Sequence, residues 1–151
     1  MIHEFQSNKI IIIVGGFLNG RYIPLLFNGL GYECIHVAEK RHLESSIIYK
    51  NFDPNIYKEL FVIDAENDLN NFIKKWVGKV FCVIAGSEPS VQLADYLTHS
   101  LGLEGNIFDL SLARRNKYFM HNTLKEHGIS YAKQILSENI NDSRVLNYEE
   151  Y

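Results

Sequence analysis

The sequence is poor in the residues that usually build metal or disulfide sites, with two cysteines among 151 residues. Cys34 and Cys82 stand far apart and form no Cys-x-x-Cys motif, so neither a zinc site nor a redox pair is indicated. Both cysteines lie in apolar, strand-like runs. We therefore expect two buried, reduced thiols, as in proteins of a reducing cytoplasm.

Long apolar runs and an excess of basic residues are missing as well. No run approaches the length of a membrane span, and the N-terminal Met-Ile-His-Glu brings no basic region before an apolar stretch. The formal net charge is −3 and the basic clusters at Lys40–His42 and Arg114–Arg115 are small. These features predict a soluble, cytoplasmic protein with no nucleic-acid and no membrane partner.

Two catalytic signatures are also missing from the sequence. No His-x-x-x-His pair with an adjacent glutamate occurs, which argues against a zinc metalloprotease, and no Gly-x-Ser-x-Gly elbow indicates a serine hydrolase. With 46% hydrophobic and 22% charged residues, the composition is that of an ordinary globular domain that can bury a core.

The sequence does contain a regular alternation of strand-like and helix-like segments. Ile10–Val14 is a continuous β-branched run, typical of a strand inside a parallel sheet, and Arg21–Leu30 has apolar residues at helical spacing. Further strands are predicted at Glu33–Val37, Leu60–Ile63, Lys79–Ala85 and Tyr131–Leu136, and further helices at Asn67–Trp76, Ser90–Leu101 and Arg114–His127. This order predicts an α/β fold: a three-layer Rossmann-like domain with a mainly parallel central sheet of about four to five strands.

A glycine-rich turn, Gly15-Gly-Phe-Leu-Asn-Gly20, follows the first predicted strand. In such sheets, ligands bind beyond the carboxyl ends of the strands. The glycine spacing does not match the Gly-x-Gly-x-x-Gly dinucleotide fingerprint, and no Gly-Lys-Ser/Thr follows. The turn is interpreted either as a tight strand-to-helix connection or as a loop that approaches a substrate or phosphate, with Arg21 as an anion contact.

A second turn, Ala85-Gly-Ser-Glu-Pro-Ser90, follows the fourth predicted strand. Ser87 or Glu88 can cap the next helix, with Pro89 in its favoured first-turn position. Glu88 can equally point from the carboxyl edge of a central strand towards a polar substrate, and the two interpretations are compatible. The predicted substrate crevice consists of Gly16, Asn19, Arg21, Glu39, Ser87 and Glu88.

Three cations, Arg114, Arg115 and Lys117, cluster at the start of the helix predicted over Arg114–His127. Positive charge at a helix N-terminus opposes the helix dipole, so the cluster is either a solvated face or an anion-binding group.

From about Ile10 to Leu136 the chain resembles the leading Rossmann-like domain of the ATP-grasp ligases. The resemblance is strongest to the branch that joins amino acids or other small amines to carboxylates. It rests on four motifs: Ile84-Ala-Gly-Ser-Glu88, Leu93-Ala-Asp95, Leu101-Gly-Leu103-x-Gly105-Asn106, and Arg114-Arg-Asn-Lys117 with Leu124-x-x-x-Gly128-Ile129 behind it.

The resemblance implies the N-terminal substrate-binding domain of a carboxylate–amine ligase, not catalytic by itself. Ser87 and Glu88 match a loop that holds the carboxylate or amine substrate, and Lys117, with Arg114 nearby, matches a lysine that contacts nucleotide phosphate. In the complete enzyme, ATP phosphorylates the carboxylate and an amine then attacks the acyl phosphate, assisted by Mg²⁺. The phosphate loop, adenine-binding strand and magnesium ligands of the ATP-grasp module are not in this sequence. We therefore expect neither ATP nor Mg²⁺ on this chain alone, and the missing module as its partner.

The domain organisation expected on this basis is a Rossmann-like domain over residues 1–130. Residues 131–151 would form the start of a truncated ATP-grasp lobe or a loosely ordered tail. Because of the short length, a stand-alone metabolite-binding or regulatory module is the alternative to a ligase domain. A nucleotide-dependent oxidoreductase is disfavoured by the glycine spacing. The choice between monomer and homodimer stays open.

Overall fold

Four parallel strands form the central sheet. A computed structural model describes residues 9–43, 52–139, 141, 142 and 144 of the chain. The strands stand in the order β3-β2-β1-β4, and all neighbouring pairs are parallel. They are β1 (Ile10–Val14), β2 (Glu33–Glu39), β3 (Glu59–Ile63) and β4 (Val80–Ala85). The predicted α/β fold with a parallel sheet is thus confirmed, with four strands.

Helices follow the strands in the predicted alternation, several of them opened by a 3-10 turn. The α-helices of the sheet region are α1 (Ile23–Gly29), α2 (Lys40–Leu43), α3 (Glu66–Trp76) and α4 (Val91–Ser100). The 3-10 segments are Leu18–Tyr22, Pro54–Ile56, Glu88–Ser90 and Phe108–Leu110. Each of the three prolines lies in the first two positions of a helix, where the missing N–H costs nothing.

Alternate residues of β1 point into two different apolar cores, because successive side chains of a strand face opposite sides of the sheet. One core contains Ile12 and Val14, and α3 and α4 supply Phe72, Trp76, Ala94 and Leu97 to it. The other contains Ile11, Ile13, Cys34 and Tyr57, with Ile23 and Phe27 of α1 packed against them. Helices therefore cover both faces, and the sheet is the middle of three layers.

The chain divides into two compact units between Phe108 and Asp109. The first contains the sheet. The second contains the short helix α5 (Ser111–Arg115) and the helix α6 (Lys117–Glu126). The domain boundary expected at residue 130 stays a prediction.

The single helix predicted over Arg114–His127 is wrong, because the chain breaks at Asn116. The backbone of Asn116 is extended, and its side-chain oxygen accepts hydrogen bonds from the N–H groups of Tyr118 (2.9 Å) and Phe119 (3.4 Å). This is an N-cap, which ends one helix and begins the next. Arg114 and Arg115 therefore lie in the last turn of α5, where the helix dipole favours cations.

Replacing this cap should loosen α6 selectively. We expect Asn116→Ala to cost about 1 kcal/mol of helix stability, because two N–H groups lose their acceptor. Amide hydrogen exchange at Tyr118 and Phe119 should then be about fivefold faster. Asn71→Ala, an exposed position inside α3, is the control and should leave exchange in α6 unchanged. Equal rates in the Asn116 variant and the wild type would contradict the capping role.

The fifth strand predicted at Tyr131–Leu136 is also wrong. This segment has no strand structure. It is held instead by hydrogen bonds to a side chain and to a backbone carbonyl of α6. The amide N–H of Ala132 donates to His121 Nδ1 (3.0 Å), and Gln134 Nε2 donates to the carbonyl of Tyr118 (2.6 Å). The last part of the expected ATP-grasp start or tail, residues 145–151, lies outside the described residues. No helix in the described part of the chain is both long and apolar enough to cross a membrane.

Candidate functional site

The order of the strands creates a switch point between β1 and β4. From β1 the chain moves to β2 and then β3 on one side, and β4 lies on the other side of β1. In open parallel sheets, ligands bind outside the carboxyl ends of the strands where the direction reverses. The two turns singled out in the sequence, after Val14 and after Ala85, both begin at this edge.

Backbone hydrogen bonds hold the turn after β1 in place. Gly15 has a φ of +61°, a left-handed conformation that glycine adopts without strain. Its N–H donates to the carbonyl of Val37 (2.8 Å), and its carbonyl accepts from the N–H of Phe17 (2.7 Å). Leu18 follows with a φ of +47°, which is uncommon for a residue with a side chain and marks local strain. The turn therefore has one specific shape.

The turn after β4 packs directly against the turn after β1. The N–H of Gly86 donates to the carbonyl of Val14 (2.8 Å), and a Cβ atom on Gly86 would lie 2.7 Å from the Cα of Gly16. A Cβ atom on Gly15 would lie 2.9 Å from Ser87 Oγ. The structure thus brings together two of the predicted residues, Gly16 and Ser87.

Ser87 has a partner that the sequence did not reveal. Its hydroxyl lies 2.8 Å from the hydroxyl of Ser90, and Ser90 is only 2% exposed. Ser90 ends the 3-10 segment Glu88–Ser90, in which Pro89 fixes the backbone. Ser87 makes no side-chain cap, so its hydroxyl is held beside the crevice by Ser90 instead. Glu88 is exposed at the start of the same segment.

Asn19 and Arg21 lie on the 3-10 segment Leu18–Tyr22 after the first turn. Asn19 is exposed. Arg21 is half-buried: its guanidinium donates to the carbonyl of Leu18 (3.1 Å) and to the hydroxyl of Tyr22 (2.6 Å), over whose ring it lies at 4.5 Å. Arg21 lines a separate cavity of about 190 Å³, whose other lining residues are Tyr22, Leu25, Asp53 and Ile56.

Glu39 ends β2 and lies at the same edge of the sheet, but its carboxylate is engaged by its neighbours. Arg41 Nη2 lies 2.9 Å from one carboxylate oxygen, and His42 Nδ1 lies 3.6 Å from the carboxylate. A substrate that used Glu39 would have to compete with these two groups.

Lys117 and Arg114 belong to the second unit. Lys117 is the exposed first residue of α6, and Arg114 lies in the last turn of α5. The nucleotide role expected for both stays a prediction, as do the roles of the six crevice residues.

His36 is a residue of this edge that the sequence reasoning missed. It is 3% exposed, and its Nε2 atom accepts a hydrogen bond from the N–H of Gly16 (3.0 Å). Burial lowers the pKa of His36 to about 4, because the charged form cannot be solvated there. The sequence signal that could have identified His36 is a polar side chain inside the apolar run of β2. A buried polar group needs a hydrogen-bond partner, so such a residue points to a specific contact.

Tyr57 completes the same group. Its hydroxyl donates to the carbonyl of Gly16 (3.4 Å), and burial raises its pKa well above the ordinary value, with Cys34 contributing. Cys34 is itself buried, and burial followed by the neighbouring Cys82 raises its pKa to about 11. Both cysteines are free thiols; Cys34 is buried as predicted, whereas Cys82 is only partly buried. Burial raises the pKa of both, so they stay protonated at neutral pH.

A second cavity, of about 200 Å³, lies between β4 and α4 and contains the buried carboxyl group of Asp95. Its other lining residues are Val83, Ala85, Val91, Ala94, Thr98, Glu104, Gly105 and Asn106. Among the described residues, no group of three histidine, cysteine, aspartate or glutamate side chains could hold a metal ion.

Comparisons with known proteins find similarity to a synthase and to a ligase. No family model matches the sequence. Dapdiamide A synthase of Enterobacter agglomerans is 30% identical over 133 residues, which is 87% of this chain and 31% of that protein. The crystal structure of an L-amino acid ligase from Bacillus licheniformis matches with a TM-score of 0.61 and 15% identity, over 83% of this chain and 30% of that chain. The chain thus spans about a third of the length of both proteins.

Proposed function

Since the chain carries the N-terminal domain of an ATP-grasp ligase, we propose that this domain holds a small substrate, an amino acid or another small carboxylate, for carboxylate–amine ligation. The reaction would be completed by an ATP-grasp module, so the domain would not be catalytic alone. Dapdiamide A synthase and the L-amino acid ligase are named for products or substrates of this chemical kind, which supports the substrate class.

The observation that carries the proposal is the meeting of two turns at the switch point. A Cβ atom on Gly86 would lie 2.7 Å from the Cα of Gly16, and one on Gly16 would lie 2.5 Å from the Tyr57 hydroxyl oxygen, so neither position has room for a side chain. Ser87 lies next to these turns, at the edge of the sheet where ligands of such folds bind. Ser87 offers a hydroxyl, Glu88 a carboxylate and Asn19 an amide, which together suit the polar groups of a small amino acid.

Each side chain would have a different part. The Glu88 carboxylate suits a substrate ammonium group, because charge-assisted hydrogen bonds are the strongest that a side chain can make. The Ser87 hydroxyl, held by Ser90, can donate to a carboxylate oxygen or accept from an N–H. These contacts orient the substrate, which is the main contribution that a non-catalytic domain can make to a two-substrate reaction.

ATP supplies the phosphoryl group that activates a carboxylate in such ligases. In the turn after β1, the N–H groups of Gly15, Gly16, Phe17 and Gly20 already have acceptors within the protein, so these four donors do not serve a phosphate. We therefore propose that ATP and Mg²⁺ bind to the ATP-grasp module, with Lys117 of this chain as a contact to a phosphate oxygen. The first residue of α6 is exposed and offers its ammonium group for such a contact.

Thermal unfolding with each of the twenty L-amino acids tests the substrate class. At about ten times its Kd, a bound amino acid should stabilise the chain by about 1.4 kcal/mol. Glu88→Gln should weaken that amino acid about tenfold, because the charge on the acceptor is lost. Glu66→Gln, an exposed glutamate on α3, is the matched control and should bind as the wild type does.

One outcome would contradict the proposed substrate class, and another would contradict only the role of Glu88. One is a set of unfolding curves that no L-amino acid or small carboxylate shifts. The other is a Glu88→Gln chain that binds the stabilising amino acid as tightly as the control. The second outcome would remove Glu88 from the site and leave the substrate class standing.

A further inference from the structure

Two buried side chains form hydrogen bonds to the turn after β1, one to an N–H group and one to a carbonyl group. His36 on β2 accepts the hydrogen bond from the N–H of Gly16, and Tyr57 donates to the carbonyl of the same residue. His36 is 20 residues from Gly16 in the sequence and Tyr57 is 41 residues away. Both polar backbone groups of Gly16 are thus occupied by side chains that the fold brings to it.

The imidazole of His36 cannot easily turn away from Gly16, because aromatic rings surround it. The ring centroids of Phe17, Phe52 and Tyr57 lie 4.8, 4.7 and 5.0 Å from that of His36. A Cβ atom on Gly16 would also lie 2.9 Å from Ile13 Cγ2 and 3.2 Å from His36 Cδ2. Packing on every described side therefore holds the ring against the turn.

The hydrogen bond determines the protonation of the ring. A backbone N–H can only donate, so Nε2 of His36 must be the unprotonated nitrogen and Nδ1 must carry the proton. The low pKa that burial gives His36 agrees with a neutral ring at physiological pH.

The neighbouring amides of the turn are engaged in the same way. The N–H groups of Gly15, Phe17 and Gly20 donate to the carbonyls of Val37, Gly15 and Phe17. Glycine turns that bind phosphate do so with backbone N–H groups aimed at the anion. These N–H groups and that of Gly16 are instead bonded within the protein, so they are not available to an anion.

We propose that His36 and Tyr57 are positioning residues that hold Gly16 in place, so that the turn packs against Gly86, places Ser87 at the predicted crevice and keeps the Gly16 N–H from binding an anion. The effect on substrate binding rests on the function proposed above. The hydrogen bonds to Gly16 do not rest on it, so the two can be tested separately.

Nitrogen-15 NMR of the full chain tests the arrangement directly. At pH 7, His36 should show a protonated Nδ1 and an unprotonated Nε2, and the Gly16 amide resonance should not move when inorganic phosphate is added. Protonation at Nε2, or a Gly16 shift that saturates with phosphate, would overturn the proposal.

Substitutions separate positioning from simple packing. His36→Phe keeps a ring that suits the aromatic surroundings but removes the acceptor, so Gly16 amide exchange should become about tenfold faster and the Ser87 amide resonance should shift. His36→Gln can place its amide oxygen near the position of Nε2 and should restore most of both properties. Tyr57→Phe should give a smaller change of the same kind. His99→Phe, an exposed histidine on α4, is the control.

The binding consequence is measured with the L-amino acid that stabilises the wild-type chain most. His36→Phe should weaken it about tenfold and His36→Gln by less than about threefold. Equal effects of Phe and Gln at position 36 on exchange and on the Ser87 resonance would overturn the positioning role. If no L-amino acid binds the wild type, the proposed function fails, while the NMR results still decide the role of His36.

Discussion

Replacing Gly86 with alanine is expected to cost about 3 kcal/mol or more in the free energy of unfolding. The new Cβ atom would lie 2.7 Å from the Cα of Gly16, 2.9 Å from the carbonyl oxygen of Gly15 and 2.9 Å from the N atom of Gly16. All three are backbone atoms of the turn after β1. That turn cannot move away without breaking the hydrogen bond from the Gly86 N–H to the Val14 carbonyl. The clash therefore pushes the two turns apart.

The measurement is the midpoint of thermal or urea unfolding. For a chain of this size the midpoint should fall by roughly 6–12 °C. Gly29→Ala is the matched control, because no atom lies within 4 Å of a Cβ atom at the end of α1 and alanine is the better helix former. It should leave the midpoint unchanged or raise it. If the Gly86→Ala chain had the same unfolding midpoint as the wild type, the two turns would not be in contact.

Acidification from pH 6.5 to pH 4 is expected to remove up to about 3 kcal/mol of stability through His36 alone. In the unfolded chain a histidine binds its proton with a pKa near 6.5, whereas the buried ring does so only near 4. Between these values the unfolded state binds more protons, so each step down in pH favours unfolding. The contribution of the neutral ring is complete above pH 6.5 and is lost as the pH falls towards 4.

Urea unfolding at a series of pH values measures this dependence. His36→Phe should be less stable at pH 7 but should show a flatter profile between pH 6.5 and 4, because it has no proton to take up. His99→Phe, which removes an exposed histidine, should keep the wild-type slope. Parallel profiles for the His36 variant and the wild type would contradict a neutral, buried ring.

Another titrating group acts outside this window. Hydrogen bonds from the side chain and backbone of Arg144, and from Ser137, hold the pKa of Asp142 below its ordinary value. The group therefore contributes to stability above pH 3.8, and that contribution is lost only as the pH falls further. Because this loss occurs below pH 3.8, the slope between pH 6.5 and 4 reports on His36 rather than on this pair.

The sheet and the meeting of the turns after β1 and β4 at one edge could be predicted from local patterns. The β-branched run of Ile10–Val14 identifies a central strand because it is apolar on both faces, and the glycines after it identify a close approach. Ser87 could be predicted for the same reason, since the carboxyl ends of parallel strands share one edge.

The missed features depend on contacts between distant residues. The Arg114–His127 pattern predicts one helix. The side chain of Asn116 divides it, because its oxygen accepts hydrogen bonds from the N–H groups of Tyr118 and Phe119. Tyr131–Leu136 has strand-like residues, but a strand exists only where another strand pairs with it. The bonds from His36 and Tyr57 to Gly16 span 20 and 41 residues and leave no periodic trace in the sequence.

The position of β1 in the sheet has a consequence for biosynthesis. Val14 pairs with Val37 on one side and with Ala85 on the other, 71 residues later in the chain (85 − 14). A ribosome must therefore deliver β4 before the first strand can gain its second neighbour, and closing so long a segment is slow. Until that moment the nascent strand keeps one unpaired apolar flank, and the edge where the turns after β1 and β4 meet is the latest part of this unit to mature.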